Sequence, residues 1–254
     1  MRFTIVFLVV LAWSSIGQAR TWRVNVLGTG DAPTLYAAMD SAAALDTVLV
    51  EAGTYALASS LSVPYGVRLV GESGPSQTLL YRDDFGPGAV SLSNASIRGI
   101  HVRANTQAVL FLHNAGAYDC IIEGNIEGLG YPAVFQNCLL LGGEVAFPSS
   151  FVSCIIMSYL GMYAVGSTLI NNDVLGAVYP GIDSSSTNLN FSLDPQFCGL
   201  PDSGNYFLRS TSPCLPENNP YGPVGGVLIG PLGLGCGAVG VQTRTWGSIK
   251  AMYR

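Results

Sequence analysis

The sequence predicts an all-β fold, a parallel β-solenoid, on two observations. The first is a recurring phrase. Ser96-Ile-Arg-Gly-Ile, Cys120-Ile-Ile-Glu-Gly, Cys138-Leu-Leu-Leu-Gly, Cys154-Ile-Ile-Met-Ser and Thr168-Leu-Ile-Asn-Asn each run from a small residue through aliphatics to a turn, with starts 24, 18, 16 and 14 residues apart. That interval is too short for a crossover carrying its own helix but fits one turn of a coil of short strands. Such a unit buries its apolar face only by stacking on its neighbours. The second observation is composition. Of 254 residues, 49% are hydrophobic, 31 are glycine and only 11% are charged, against roughly 25% charged in an average domain. A long apolar core closed by many tight turns accounts for all three values.

Taken in order, the chain opens on an export signal. Arg2 supplies the charge, Phe3 to Ile16 the apolar stretch, and Gly17-Gln-Ala19 the small residues before a cut after Ala19. The stretch falls short of the roughly 18 residues that span a bilayer, and no later segment is long and apolar enough. The expected product starts near Arg20, carries no membrane span, and is secreted, periplasmic or at the cell surface. Thr21 to Leu27 reads as a strand. From Thr34 to Leu45 the period becomes helical, with Leu35, Ala38, Met39 and Ala42 on one face and Thr34 as N-cap. A helix placed just before the first strong strand, Thr47 to Val50, would cover the open end of the solenoid. Leu61-Ser-Val63, Val67 to Val70 and Thr78 to Tyr81 continue the coil. After Asp183-Ser-Ser-Ser-Thr-Asn188 the texture changes. Residues 189–254, rich in Pro, Gly and Cys, read as a C-terminal cap of the same domain that spans 20–188.

Charge narrows the partners. A net charge of −5, with one lysine and ten arginines, lacks the basic footprint of nucleic-acid binding. Within the repeats Arg98, His101 and Arg103 form the densest polar cluster. Strict alternation puts His101 and Arg103 on one face and Arg98 on the other unless Gly99 bends the strand. A row of that kind on an outer face suits an anionic sugar, against the plainer reading of a solvated edge. Asp83 and Asp84 could help hold Ca²⁺, an oxygen-seeking ion, or work as acid and base; the plainer reading is a polar turn. Glu123 and Glu127 are the carboxylate pair within the rungs. Asn171-Asn172-Asp173 reads as turn asparagines. Cys120, Cys138 and Cys154 hold one position in successive phrases and read as a buried thiol ladder, because the rung spacing of about 4.8 Å fits a disulfide poorly. Export favours one disulfide among Cys198, Cys214 and Cys236, with the pair left open.

Pro33-Thr-Leu-Tyr-Ala-Ala-Met-Asp40-Ser-Ala-Ala43, Asp46-Thr-Val-Leu-Val50-Glu-Ala-Gly53-Thr-Tyr55 and Val67-Arg-Leu-Val-Gly71 resemble the opening of pectate-lyase-like right-handed parallel β-helix proteins. Asp194-Pro-Gln-Phe197-Cys198, Asn205-Tyr-Phe-Leu208 and Ser212-Pro-Cys214 resemble the closing segment of secreted bacterial members. The resemblance implies the right-handed coil and the capping role of the helix. It implies no catalytic residue, since neither the lyase nor the hydrolase phrases of that family are complete here. The expectation is an exported, monomeric β-helix protein that binds polysaccharide or is structural at the cell surface. One alternative is a polysaccharide lyase or glycoside hydrolase, with Ca²⁺ required only for the lyase. Another is a purely structural or adhesive module. The expected ligand-binding residues are Arg98, His101, Arg103, Asp83 and Asp84, with no metal and no cofactor.

Overall fold

A computed structural model of the chain describes residues 18–84, 88–104, 108–128, 132–199, 204–222 and 226–236. The apolar stretch of the expected export signal lies outside them, as does the chain after Cys236. Three parallel sheets wrap a single main core. Among the described residues the first sheet has eight strands, from Thr21–Val24 and Thr47–Val50 through Arg68–Gly71, Ser96–Arg98, Gly116–Tyr118, Ala133–Gln136 and Ser149–Val152 to Thr168–Ile170. The second has seven, from Gly53–Ala56 to Asp173–Val174, and the third six, from Leu61–Val63 to Tyr159–Leu160. Every strand pairs with the strand one coil away, so the chain is a parallel β-helix, as the phrase predicts.

The register corrects how the phrase is framed. Ser96 pairs with Gly116, Gly116 with Val134, and Ser150 with both Val134 and Thr168. Ile121, Leu139 and Ile155 follow His101 in the second sheet. The residue aligned with Cys120 is therefore Ile100, not Ser96, and the residue aligned with Cys154 in the last full coil is Asn172, not Thr168. The phrase slipped because Ser96-Ile and Thr168-Leu-Ile, which open first-sheet strands, begin like the second-sheet units Cys120-Ile-Ile, Cys138-Leu-Leu and Cys154-Ile-Ile.

The turn between those two sheets shows why the coils stack. From Gly99 onward each coil enters it through a residue in the left-handed region: Gly99, Asp119, Asn137, Ser153, Asn171 and Leu189, with φ of 64, 52, 52, 54, 55 and 60°. Asn and Asp tolerate that conformation best among residues with side chains. Gly99 is further constrained by contact. A Cβ there would lie 3.0 Å from the Gly71 carbonyl oxygen, and one on Gly71 would lie 2.2 Å from the Gly99 carbonyl oxygen. The next residue in each coil points inward and forms a hydrogen-bonded column. Asn190 Nδ2 donates to Leu169 O (2.9 Å) and Asn172 Nδ2 to Phe151 O (3.1 Å). Cys154 Sγ donates to Phe135 O (3.4 Å) and Cys138 Sγ to Ala117 O (3.3 Å). In the other direction, Asn190 Oδ1 accepts from Asn172 N, Asn172 Oδ1 from Cys154 N, and Cys154 Sγ from Cys138 N. Cysteine and asparagine thus fill one role: each side chain binds the preceding coil, and each backbone N–H from Cys138 to Asn172 donates to the side chain of the following one. The thiols are free, and burial pushes those of Cys120 and Cys138 well up, which keeps them protonated and inert.

The helix is shorter than expected, Leu35–Ser41, and begins where predicted, with Thr34 Oγ1 accepting from Ala37 N at 3.1 Å. It buries Leu35, Ala38 and Met39 against the first coil and so covers the solenoid's opening end. The C-terminal part departs from an end cap. Its described residues, 191–199, 204–222 and 226–236, touch the last coils through Tyr221, whose hydroxyl donates to Asn190 O. It then runs back along the outer face of the second sheet. There Phe197, Tyr206, Leu208, Cys214, Leu215, Ile229 and Leu232 form a second core with Ile121, Leu139 and Ile155. An outward column of three aliphatics cannot stay in water, so the chain folds back over it. The Cys198–Cys236 disulfide closes this strap, and Cys214 is left free beneath it.

Two predictions test the stacking. Asn172→Leu orphans the Cys154 amide and the Phe151 carbonyl and costs about 2–5 kcal/mol, whereas Asn172→Cys costs less than half as much. Urea unfolding of both variants checks this, and equal losses would refute the equivalence of the two side chains. Deleting residues 34–45 exposes the first coil and produces end-to-end oligomers in size-exclusion chromatography; a native monomer would refute the capping role.

Candidate functional site

The residues singled out from the sequence fall into three separate places. Gly99 turns the chain between sheets, so Arg98 stands on the first sheet and His101 and Arg103 on the second. Arg82 lies buried at the end of its strand, bonded to Asp84 and donating from Nη1 to Gly88 O (2.7 Å). Asp84 is therefore committed to a turn, and Asp83 beside it is exposed. The two carboxylates do not converge on one point, and among the described residues no three His, Cys, Asp or Glu side chains gather as a metal site.

On the second sheet the expected row is divided by the strap. His101 keeps only 12% of its side chain exposed, because Tyr206 packs edge-on against its ring at 6.2 Å. His101 Nε2 lies 3.0 Å from Glu123 Oε1, at ion-pair distance though not aligned as a hydrogen bond. The Tyr206 hydroxyl donates to the same carboxylate oxygen at 2.6 Å. Burial works to raise the Glu123 carboxyl, but its contacts with His101 and Tyr206, and the charges of His101 and Arg103, outweigh burial and hold it below the usual carboxylate range. His101 and Glu123 thus fasten the strap, and no surface ligand can reach both. Arg103 remains exposed at the strap's margin. Tyr206, eighty-three residues from Glu123, carried no signal in the sequence because nothing local ties it to the rungs.

The open surface is the outer face of the first sheet. A groove of about 760 Å³ runs between Arg68, Val70, Glu72, Pro75, Arg98 and Asp119, with Pro231 of the strap as one wall. A second hollow of about 450 Å³, lined by Tyr65, Asn94, Asn114 and Val134, shares Arg68, Ser96 and Tyr118 with it. Arg68 is exposed and has no ion pair among the described residues, and Tyr65 is 68% exposed. Arg98 donates from Nε to Asp119 Oδ2 at 2.8 Å while its side chain stays 65% exposed. Asp119 in turn accepts from Asn137 Nδ2. The ion pair fixes the direction of the Arg98 guanidinium and leaves its remaining N–H groups for a ligand. Sequence reasoning found Arg98 but passed over Arg68, Tyr65 and Tyr118, because pairing of Arg68–Gly71 with Ser96–Arg98 is what brings them together.

No family model and no curated protein sequence matches the chain. Among solved structures it is similar to pectin methylesterase from carrot, at 15% identity and a TM-score of 0.45, over 66% of this chain and 66% of that one, just under two thirds of its length. No helix among the described residues is long and apolar enough to cross a membrane.

The Tyr206–Glu123 contact carries a pH signature. Because the folded Glu123 carboxyl sits below its unfolded value, its stabilisation is full above roughly pH 4.3 and is lost as pH falls through the folded value. Tyr206→Phe therefore costs about 1–2 kcal/mol at pH 7 and less as pH falls through the folded value, where the bond is no longer charge-assisted. Thermal melts at pH 7 and pH 3 measure it, and an equal penalty at both would refute the assignment.

Proposed function

We propose that this protein is an exported polysaccharide-binding module without catalytic activity, and that it takes acidic chains along the outer face of its first sheet. The observation that carries this reading is the continuous trough through Arg68, Ser96 and Tyr118, with two exposed guanidinium groups over a flat, uncovered sheet. Guanidinium pairs with carboxylate in a two-pronged geometry. A tyrosine offers a sugar ring an apolar face and a polar rim, and Tyr65 and Tyr118 stand within reach of the same trough. Arg68 and Arg98 lie on adjacent coils, about 4.8 Å apart in the stacking direction, so a linear polyanion lying across the coils meets both. What supports a non-enzymatic role is that the acid–base candidates are engaged: Glu123 and His101 lie under the strap, Asp84 is tied to Arg82, and in the trough Asp119 pairs with Arg98 and Glu72 with Arg23. Arg103, exposed beyond the strap, lies on a different face and is not part of the trough.

The test is affinity electrophoresis of the mature protein against polygalacturonate and a neutral glucan, with and without Ca²⁺, scoring chain length and unsaturated ends together. The expected outcome is retarded migration in the acidic polymer only, with intact chains. Arg68→Ala with Arg98→Ala weakens that binding at least tenfold, and added salt weakens it in the wild type. Unchanged affinity in the folded double variant sinks the proposed face. Shortened chains would move the reading to an enzyme, with end chemistry separating lyase from hydrolase.

A further inference from the structure

The strap is fastened to the second sheet at two polar points, with the apolar strip of Ile121, Leu139 and Ile155 between them. At one, Tyr206 meets Glu123. At the other, the Cys214 thiol donates to Asp173 Oδ2 at 3.2 Å, while Leu193 N, from the following coil, donates to Asp173 Oδ1 at 3.0 Å. Asp173 is fully buried, and it occupies the position held by Ile155 one coil earlier. No cation faces it among the described residues. The preceding coil offers Ile155, the following coil offers Asp194, and the strap offers Cys214 and Ser212. The amides of Asn172 and Asn190 beside it are spent in the turn ladder. The strap's Arg209 donates from Nε to Phe197 O, not to this carboxyl.

We propose that the strap is a proton-sensitive latch, in which a proton on Asp173 holds the Cys214 end closed on the second sheet and loss of that proton loosens it. A carboxyl with no cation partner, between a thiol and a second carboxylate, is poorly housed as an ion. Burial, with Asp194 adding to it, pushes Asp173 up to about 7 against the opposing bonds from Leu193 and Cys214. The sign follows from linkage. The closed form binds the proton more tightly than the open form, so closure is most favoured below the ordinary Asp value of about 4. That advantage is lost as pH rises towards 7 and is gone above it. The loss amounts to about tenfold in the closing equilibrium between pH 6 and pH 8. Opening would uncover Leu139 and Ile155. It would also free the strap's Gly230, bonded to Ser153 O at 2.8 Å, next to the Pro231 wall of the first-sheet groove. The latch does not depend on what the groove binds.

Amide hydrogen exchange on the mature protein at pH 6 and pH 8, corrected for intrinsic rates, tests it without any ligand. Peptides from residues 61–71, which the strap's second core does not touch, serve as the internal reference. Protection around Leu193 and Cys214 should fall about tenfold from pH 6 to pH 8 relative to that reference, and Asp173→Asn should abolish the fall by keeping protection high at pH 8. A fall that persists in Asp173→Asn overturns the proposal. So does the absence of any relative fall in the wild type. Should Asp173→Asn not fold, Asp194→Asn removes the neighbouring charge and must move the midpoint to lower pH; an unmoved midpoint overturns the proposal equally.

Discussion

The hydrogen-bonded column at the turn between the first two sheets governs everything built on it. Ile100, Cys120, Cys138, Cys154, Asn172 and Asn190 stack one above another, and from Cys138 onward their side chains tie successive coils together. Parallel strands alone would hold the coils but would not fix their phase, since a slip of one residue exchanges the inner and outer faces. The column removes that freedom, because the inward residue must directly follow the left-handed turn residue to reach back to the carbonyl of the preceding coil. With the phase fixed, Ile97, Ala117, Phe135, Phe151 and Leu169 all point inward, and the Phe135 and Phe151 rings stack at 5.1 Å within 8° of parallel. The same phase sends Arg68 and Arg98 outward on one sheet and His101, Ile121, Leu139, Ile155 and Asp173 outward on the next.

Those two outer faces have different fates for a reason written in their side chains. On the first sheet the outward column of Ser96, Gly116, Val134, Ser150 and Thr168 is small or polar except at Val134, so with the two arginines it forms no continuous apolar strip and needs no cover. Ile121, Leu139 and Ile155 on the second sheet would expose a continuous apolar strip, and burying it favours folding the strap back by roughly 1.5–3 kcal/mol for each side chain. The open groove and the closed strap are therefore two consequences of one register.

How far the sequence alone leads follows from the same facts. Short-range signals were legible: Thr34 as the helix cap, Thr47–Val50 and Leu61–Val63 as strands, and the three cysteines as a column. The framing of the repeat was not, because Ser96-Ile and Cys120-Ile look alike in sequence and differ only in which sheet they join. In the expected ligand row, strict alternation would have turned one of Arg98 and His101 inward, whereas Gly99 turns the chain and both point outward on different sheets; nothing near His101 announced that Tyr206 would lie against it. The aliphatic pair in Cys120-Ile-Ile-Glu123 was the missed clue. Two adjacent buried isoleucines on a strand require cover on both faces, and the Pro- and Gly-rich segment after Asn190 was the available chain to provide it.

The end of the outward column shows where stability and responsiveness part. A fourth aliphatic after Ile155 would have extended the strap's apolar seat and made closure indifferent to pH. Asp173 stands there instead, with its oxygens committed to Leu193 and Cys214 and no cation among the described residues to neutralise it. At the opposite fastening, Glu123 has His101 and Arg103 near it and keeps its charge easily. The strap is thus held at one end by an ion that prefers to be charged and at the other by an acid that prefers not to be, and between about pH 4 and 7 only the second contact weakens as protons leave. Motion of the strap should then begin at its Cys214 end, beside the last coils, while the Tyr206 end stays anchored to the rung that carries Glu123.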